Sequence, residues 1–543
     1  MRIALAQMNT VVGGVEANLR SIRQFAERAR RASAEVVAFP ELTLTGYPLL
    51  DLIHRRPLLN RQREALDELA RDSGEMALVV GFVDFDPEKL GPNGQLVVYN
   101  AAAVLRNGMI LGIHHKNLLP EYDVFFEQRY FSRGEESLVV DLDGTRVGIQ
   151  TCEDLWDANY GTKVTRAQVE GGADLIINLS ASPFNVGKGQ ARRKLLERHV
   201  KECGKPMLFV NQVGSEDGYE GELIFDGDSL AYDGAGRLIG RGKLFEEDLV
   251  LVDLNRDGTP SPEVEDRSFE DDEEAFGALV LGVREYARRT GFKSALLGLS
   301  GGVDSALVAA IAAEALGSEN VLGVSMPSRY SSDHSRDDAR QLAENLGIQY
   351  RSIPIEKVFE AYLEILAPSF EGTEEDVTEE NLQARARGAI LMALSNKEGS
   401  LLLSTGNKTE VALGYCTLYG DMNGGLMVIA DVSKPRVYSI CRHVNRRAGM
   451  ALIPQSTLEK PPSAELRSGQ VDPFDYDVVG PLTDLLVEQE CTVEECVERG
   501  YQRDLVERLE RLIRISEYKR RQAAPGIRIT ARAFGIGRRL PIA

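Results

Sequence analysis

Apolar residues in the first 250 positions fall in short runs, not in long stripes. Residues 2–7, 35–39, 76–82, 97–105 and 146–151 read as strands, and 175–178, 207–211 and 249–253 continue the series. Helical patterns and turn-rich loops lie between them. So many strands in one region predict two packed sheets with helices outside. The pattern breaks after Asn255, where Asp-Gly-Thr-Pro-Ser-Pro precedes a run in which eight of the twelve residues from Glu263 to Glu274 are acidic. That stretch reads as a linker. Beyond it, residues 276–290 have helical periodicity and the strand 294–299 opens a regular alternation: helix from Asp304, strand 321–326, helix from Asp333, strand 349–353. Such alternation predicts a doubly wound parallel sheet with ligands at the carboxyl ends of its strands. The expected division is residues 1–260, a linker at 261–275, and a second domain at 276–543.

Length agrees, because 543 residues exceed the roughly 250–300 that one core serves. Composition is that of a soluble globular chain, 43% hydrophobic and 27% charged. The net charge of −20 speaks against general nucleic-acid binding, which needs clustered Lys and Arg. A basic tail at 519–539 is the exception and reads either as a solvated helix and terminal arm or as a local anion site. No segment approaches the ~20 apolar residues of a membrane span, and the opening run reaches Asn9 and Thr10 before a signal-peptide core can form. The expectation is a cytoplasmic protein with no membrane partner. Six scattered cysteines without a CxxC pair fit reduced thiols, and Cys441, Cys491 and Cys496 have no histidine at zinc-ligand spacing.

Three residues in the first region each follow a β run: Glu41 in Phe-Pro-Glu-Leu, Lys116 in His-His-Lys-Asn-Leu, and Cys152 in Gln-Thr-Cys-Glu-Asp-Leu. A thiol attacks an amide as thiolate, so it wants a base for its proton and a cation that lowers its pKa. Glu41 and Lys116 supply those functions, and the lysine can also hold a tetrahedral oxyanion. His114 and His115 adjoin the lysine, but successive strand residues face opposite ways, so both cannot serve one pocket; they read as structural. Trp156, the only tryptophan, reads as core packing or as a pocket wall. The ordered Glu-Lys-Cys set resembles the carbon-nitrogen hydrolase (nitrilase) superfamily across roughly residues 1–260. The resemblance implies an αββα nitrilase-like sandwich in which Glu41 accepts the proton, Lys116 steadies the oxyanion and Cys152 is the nucleophile. The segments 118–122 and 180–188 resemble the glutaminase domains of NAD synthetases, which implies glutamine held by Tyr122, Ser182 and Lys188.

In the second region a strand runs into Ser300-Gly-Gly-Val-Asp-Ser305 and then an apolar helix. Backbone amides of a glycine turn and a helix N-terminus make an anion site. It is not a Walker A loop, since no lysine follows the glycines. The SGGxDS form resembles the pyrophosphate loop of ATP pyrophosphatases, with an adenine nucleotide alpha hydrolase-like sheet. It implies that Ser300, Gly301, Gly302, Val303, Asp304 and Ser305 hold ATP. The segment Leu-Ser-Thr-Gly-Asn-Lys-Thr-Glu410 is similar to that of NAD synthetases, implying Thr405 on ATP and Glu410 on deamido-NAD or, with Asp304, on Mg2+. The same resemblance places Asn381 and Lys519 against deamido-NAD, and Lys434 and Ser463 as weaker ATP candidates. Here Ser433-Lys-Pro-Arg and Pro462-Ser-Ala-Glu465 depart from the Thr-Lys-Arg-Gln and Pro-Thr-Ala-Asp of the small ammonia-dependent enzymes.

Together the resemblances imply a glutamine-dependent synthetase. Glutamine yields ammonia in one domain, ATP adenylates deamido-NAD in the other, and ammonia, carried along a shielded route, displaces AMP. A homo-oligomer, up to an octamer, is part of that expectation. Three alternatives stay open on the sequence: another amidotransferase of the ATP-pyrophosphatase group, a hydrolase fused to an uncoupled adenylating enzyme, and a glutamine and nucleotide sensor without turnover.

Overall fold

A computed structural model describes residues 1–92, 94–255, 262–535 and 537–542. The Asp-Gly-Thr-Pro-Ser part of the expected linker, 257–261, lies outside the described residues. The chain forms two compact units, Met1–Glu216 with Ile224–Ser268, and Asp217–Leu223 with Phe269–Ala543.

The first unit holds two six-stranded sheets. One runs Asp248–Asp253, Arg2–Gln7, Val36–Ala38, Ala77–Leu90, Leu96–Arg106 and Met109–His115; the other runs Leu238–Arg241, Leu230–Tyr232, Met207–Asn211, Leu175–Ser180, Thr145–Thr151 and Leu138–Leu142. Alternation along each strand decides which residues face the partner sheet. Ile3, Leu5, Val79 and Val104 from the first sheet thus meet Val147, Ile149, Ile177 and Val210 from the second in one buried layer. The opposite face of the first sheet is covered by the helices Val15–Arg31 and Arg56–Asp72, through Leu19, Ile22, Phe25, Leu66 and Leu69. Lys188–Cys203 covers the second sheet through Leu195, Leu196 and Val200. This is the αββα layering that the run of strands predicts.

The second unit is built on a parallel sheet ordered Gly526–Ile527, Leu426–Met427, Leu401–Ser404, Ala295–Gly298, Val321–Ser325 and Gln349–Ser352. Helices Asp271–Thr290, Val303–Leu316 and Lys434–Ala448 pack together, while Ile390, Leu391 and Leu394 of the helix Val377–Glu398 pack on Leu296, Leu322, Val324 and Leu402. The first helix starts at Asp271, five residues before the apolar periodicity. Its first turn takes up Asp271, Asp272, Glu273 and Glu274, acids that suit the positive end of a helix. The basic tail is divided: Lys519 caps the carbonyls of Gly414 and Cys416, Arg520 pairs with Glu517 and Arg528 is buried, while Arg521, also paired with Glu517, and Arg539 are exposed. No helix among the described residues is long and apolar enough to cross a membrane.

Ile177→Ala, at a fully buried position between the two sheets, is expected to destabilise the first unit by ~2–5 kcal/mol. Leu251→Ala, on a solvent-facing position, is expected to change it by under ~0.5 kcal/mol. Urea unfolding followed by Trp156 fluorescence checks both, because the only tryptophan lies in that unit.

Candidate active site

Three strand ends deliver the expected trio. Glu41 follows Val36–Ala38 by three residues, Lys116 directly follows Met109–His115, and Cys152 directly follows Thr145–Thr151. Lys116 Nζ donates to Glu41 Oε1 at 2.7 Å and, on its other side, to Glu127 Oε1 at 2.8 Å. All three side chains are buried. Asn100 Nδ2 and the Ala181 N–H donate to the two Glu41 oxygens at 2.7 and 3.0 Å, and the Tyr47 hydroxyl donates to Glu127. Asp154 ties the lysine and cysteine segments together. Its carboxylate accepts the N–H groups of Asn117, Leu118 and Thr151 and pairs with His114 Nε2 at 2.7 Å. His115, facing the other way, stacks on Tyr99 and pairs with Asp84.

Backbone geometry fixes two of these positions. Cys152 has φ +41, a left-handed conformation that costs a non-glycine residue free energy and turns the thiol out of the strand direction. Behind Glu41 stands Gly81; a Cβ there would lie 2.4 Å from both the Pro40 carbonyl oxygen and the Leu42 nitrogen.

The electrostatics differ from a thiolate resting beside a free cation. Burial alone would lower the Lys116 ammonium, but the charges of Glu127 and Glu41 hold it well above the usual lysine range. Burial pushes the Glu127 carboxyl up to about 7, with Lys116 opposing and Glu41 adding to the rise. Burial also pushes the Cys152 thiol well above its usual range; the Glu41 charge adds, and Lys116 offsets only part. Two acids already claim the lysine, so the resting group is a thiol and not a thiolate.

A small polar cluster flanks the trio. Tyr122 and Tyr160 donate their hydroxyls to Glu153, the neighbour of Cys152, at 3.0 Å, and Lys188 Nζ sits 4.3 Å above the Trp156 ring. Glu153 is shifted up by burial and held back by the charges of Lys116 and Lys188 and by both tyrosines. Trp156, partly buried, packs against the core under the second sheet that includes Leu155, Leu195 and Leu196. Ser182 is buried one residue past Ala181, its N–H donating to Asn211 Oδ1. Glu127 and Glu153 were not singled out from sequence. Glu127 opens a four-residue helix in a loop and follows no strand, so its signal was an acid directly after Phe125 and Phe126.

In the second unit, the glycine turn enters the 14-residue helix Val303–Leu316. Gly301 has φ +76, and a Cβ there would meet the Ser335 carbonyl oxygen at 2.3 Å. Ser305 Oγ donates to the Gly302 carbonyl and lies 3.2 Å from Ser300 Oγ. The turn borders a cavity of about 320 Å³ whose lining includes Ser300, Gly302, Val303, Asp304, Ser305, Thr405, Glu410, Lys434 and Ser463. Lys434 Nζ reaches Asp304 Oδ2 at 2.5 Å and Glu410 Oε1 at 3.4 Å, and Asn407 Nδ2 donates to Asp304 Oδ1. Burial pushes Glu410 up to about 8, against the pull of Lys434 and with the Asp304 charge adding.

Asn381 and Lys519 do not line this cavity; they brace its wall. Thr417 Oγ1 donates to Asn381 Oδ1, Lys519 holds the carbonyls on either side of Tyr415, and Tyr415 and Thr417 are lining residues. Ser463 Oγ is engaged within its own loop, donating to the Gln470 carbonyl. Arg387, which the sequence reading passed over, lines the cavity with Nε donating to the Met326 carbonyl, and burial pushes its guanidinium down to about 10.

Comparison with known proteins follows the same division. Residues 2–261 match the carbon-nitrogen hydrolase family and residues 275–523 the NAD synthase family. Relatives described as glutamine-dependent NAD(+) synthetases are similar end to end: one from Synechocystis sp. is 45% identical over 100% of this chain and 98% of its own. Another, from Thermotoga maritima, is 43% identical with the same coverage. A solved glutamine-dependent NAD+ synthetase from Acinetobacter baumannii, in complex with ADP, superposes with a TM-score of 0.79 at 37% identity, covering 100% of this chain and 98% of that one. With each half matched to its own family and the whole length shared with these relatives, the chain belongs to the glutamine-dependent NAD(+) synthetase family.

Proposed function

We propose that the protein hydrolyses glutamine at Cys152 and spends the ammonia on deamido-NAD activated by ATP at the Ser300–Ser305 turn, releasing NAD, AMP and pyrophosphate. The observation that carries this reading is the buried Glu41–Lys116–Glu127 bridge beside Cys152, in a chain that also holds a glycine turn opening on a cavity.

Glutamine enters with its ammonium toward Glu153 and its carboxylate toward Lys188, with Tyr122 and Ser182 as neutral partners. Glu41 takes the thiol proton as the sulfur attacks the side-chain amide carbon. Lys116 holds the oxyanion; Glu41 then returns the proton to the departing ammonia and activates water to free glutamate. Glu127 is a positioning residue, steadying Lys116 from the far side. Ammonia reaches the second reaction without protonation by solvent, where it displaces AMP from the nicotinate carboxylate.

At the second site the turn amides and the helix N-terminus cradle phosphates, with Thr405 on the nucleotide and Asn381 and Lys519 supporting the deamido-NAD side. Asp304 and Glu410 fit a magnesium ion, since both already reach one ammonium, and magnesium favours one or two carboxylates with phosphate oxygens. Bound there, Mg2+ supplies charge neutralisation of the triphosphate. The six free cysteines accord with a cytoplasmic setting. A homo-oligomer is supported by apolar side chains left uncovered on adjoining helices, Val358 and Ile365 on Glu356–Leu366 and Val377 on Val377–Glu398.

The defining assay supplies deamido-NAD, ATP, Mg2+ and glutamine and follows NAD and AMP together; AMP without NAD would end the proposal. Cys152→Ala is expected to lower glutamine-dependent NAD formation by about three orders of magnitude or more, while ammonium still supports it. Glu127→Gln is expected to slow glutamate release roughly a hundredfold and to leave ammonium-dependent synthesis intact, measured on the same preparation. Ile365→Glu is expected to shift the oligomer toward smaller species in light scattering.

A further inference from the structure

The arrangement of Lys434 is unusual for a group awaiting a phosphate. Its ammonium is almost fully buried, contacts Asp304 Oδ2 at 2.5 Å and Glu410 Oε1 at 3.4 Å, and lies 5.1 Å from the Tyr476 ring centroid on another side. It is also the first residue of the 15-residue helix Lys434–Ala448, where the helix dipole disfavours a cation. The two carboxylates are what holds it there. They are the same two acids that the proposed function gives to magnesium, and the inference below rests on that assignment.

We propose that Lys434 is a resident substitute for the metal ion: its ammonium keeps the Asp304–Glu410 pair charge-compensated and aligned until a nucleoside triphosphate draws it away. Magnesium binds carboxylate oxygen at about 2.0–2.1 Å and cannot share the position of an ammonium that already contacts the same oxygen. Metal alone therefore has to expel the Lys434 ammonium from its acids with no new anionic partner to receive it. A triphosphate changes the balance. Lys434 and the glycine turn border one cavity, so a phosphate oxygen gives the ammonium a new anionic partner and frees the two carboxylates. Metal and nucleotide then favour each other's binding, and by linkage the coupling is the same in both directions. The ammonium also spares two adjacent, partly buried carboxylates the lack of a counter-charge, an arrangement that would open or protonate the pair.

The test is Mn2+ binding to the full-length protein, followed by EPR, alone and with a β,γ-methylene analogue of ATP, after subtraction of the protein-free nucleotide complex. The wild type is expected to bind Mn2+ weakly alone and roughly tenfold or more tightly with the analogue. Lys434→Met and Lys434→Gln are expected to bind Mn2+ alone roughly tenfold more tightly than wild type, with most of the nucleotide effect gone. Lys434→Gln, which keeps a hydrogen-bond donor, serves if the methionine variant does not fold. Mn2+ affinity in the folded variants equal to or below that of wild type overturns the proposal. Asp304→Asn and Glu410→Gln separate the two claims: unchanged Mn2+ binding in both, with the analogue present, overturns the metal-ligand assignment itself.

Discussion

An ammonium sealed from water between two carboxylates is the constraint from which the first unit's chemistry follows. Lys116 is charged only because Glu41 and Glu127 compensate the loss of hydration, and removing one partner of such a buried pair costs about 3–5 kcal/mol. The geometry is therefore stiff. It is also electrically committed: two acids to one base leave an excess of negative charge, which burial resolves by raising Glu127 and keeping Cys152 as a thiol. Kept protonated and buried in this way, the thiol is shielded from oxidation.

The second unit uses a related device with a different exposure. Lys434 also bridges two acids, yet its bridge borders a cavity, whereas Lys116 is tied on both sides within the protein interior. The contrast accords with the roles proposed for the two lysines, one held still beside a reacting carbon and the other yielding to an incoming polyanion. Neighbouring hydrogen bonds agree with this division. Glu41 has further donors in Asn100 and Ala181, while Glu410 is tied to the start of its own short helix by a capping box with Asn407.

Much of the layering was legible because buried strands carry apolar runs: residues 207–211 were read to their exact limits, and 2–7 likewise. Met109–His115 shows in the sequence only as a β run before Lys116, without limits, because its side chains are only partly covered and the apolar alternation is weak. Leu230–Tyr232 and Leu238–Arg241 are too short to show a period. Looking for polar residues after strands singles out Glu41 and Lys116, which the structure joins by a hydrogen bond, and passes over Glu127, which reaches the same lysine from a loop. Lys519 shows another limit: sequence resemblance marks a residue but not its partners, and here the side chain spends its donors on the main-chain carbonyls of Gly414 and Cys416.

The close approach at Gly81 has a consequence for how the first unit can change over generations. Main chain rests on main chain there, so the location of Glu41 is inherited from the path of the backbone and not from the shapes of surrounding side chains. Apolar residues elsewhere in the layer can be exchanged for others of similar volume without moving Glu41. Drift in the core and the placement of that carboxylate are thereby separated, on the single condition that position 81 stays bare.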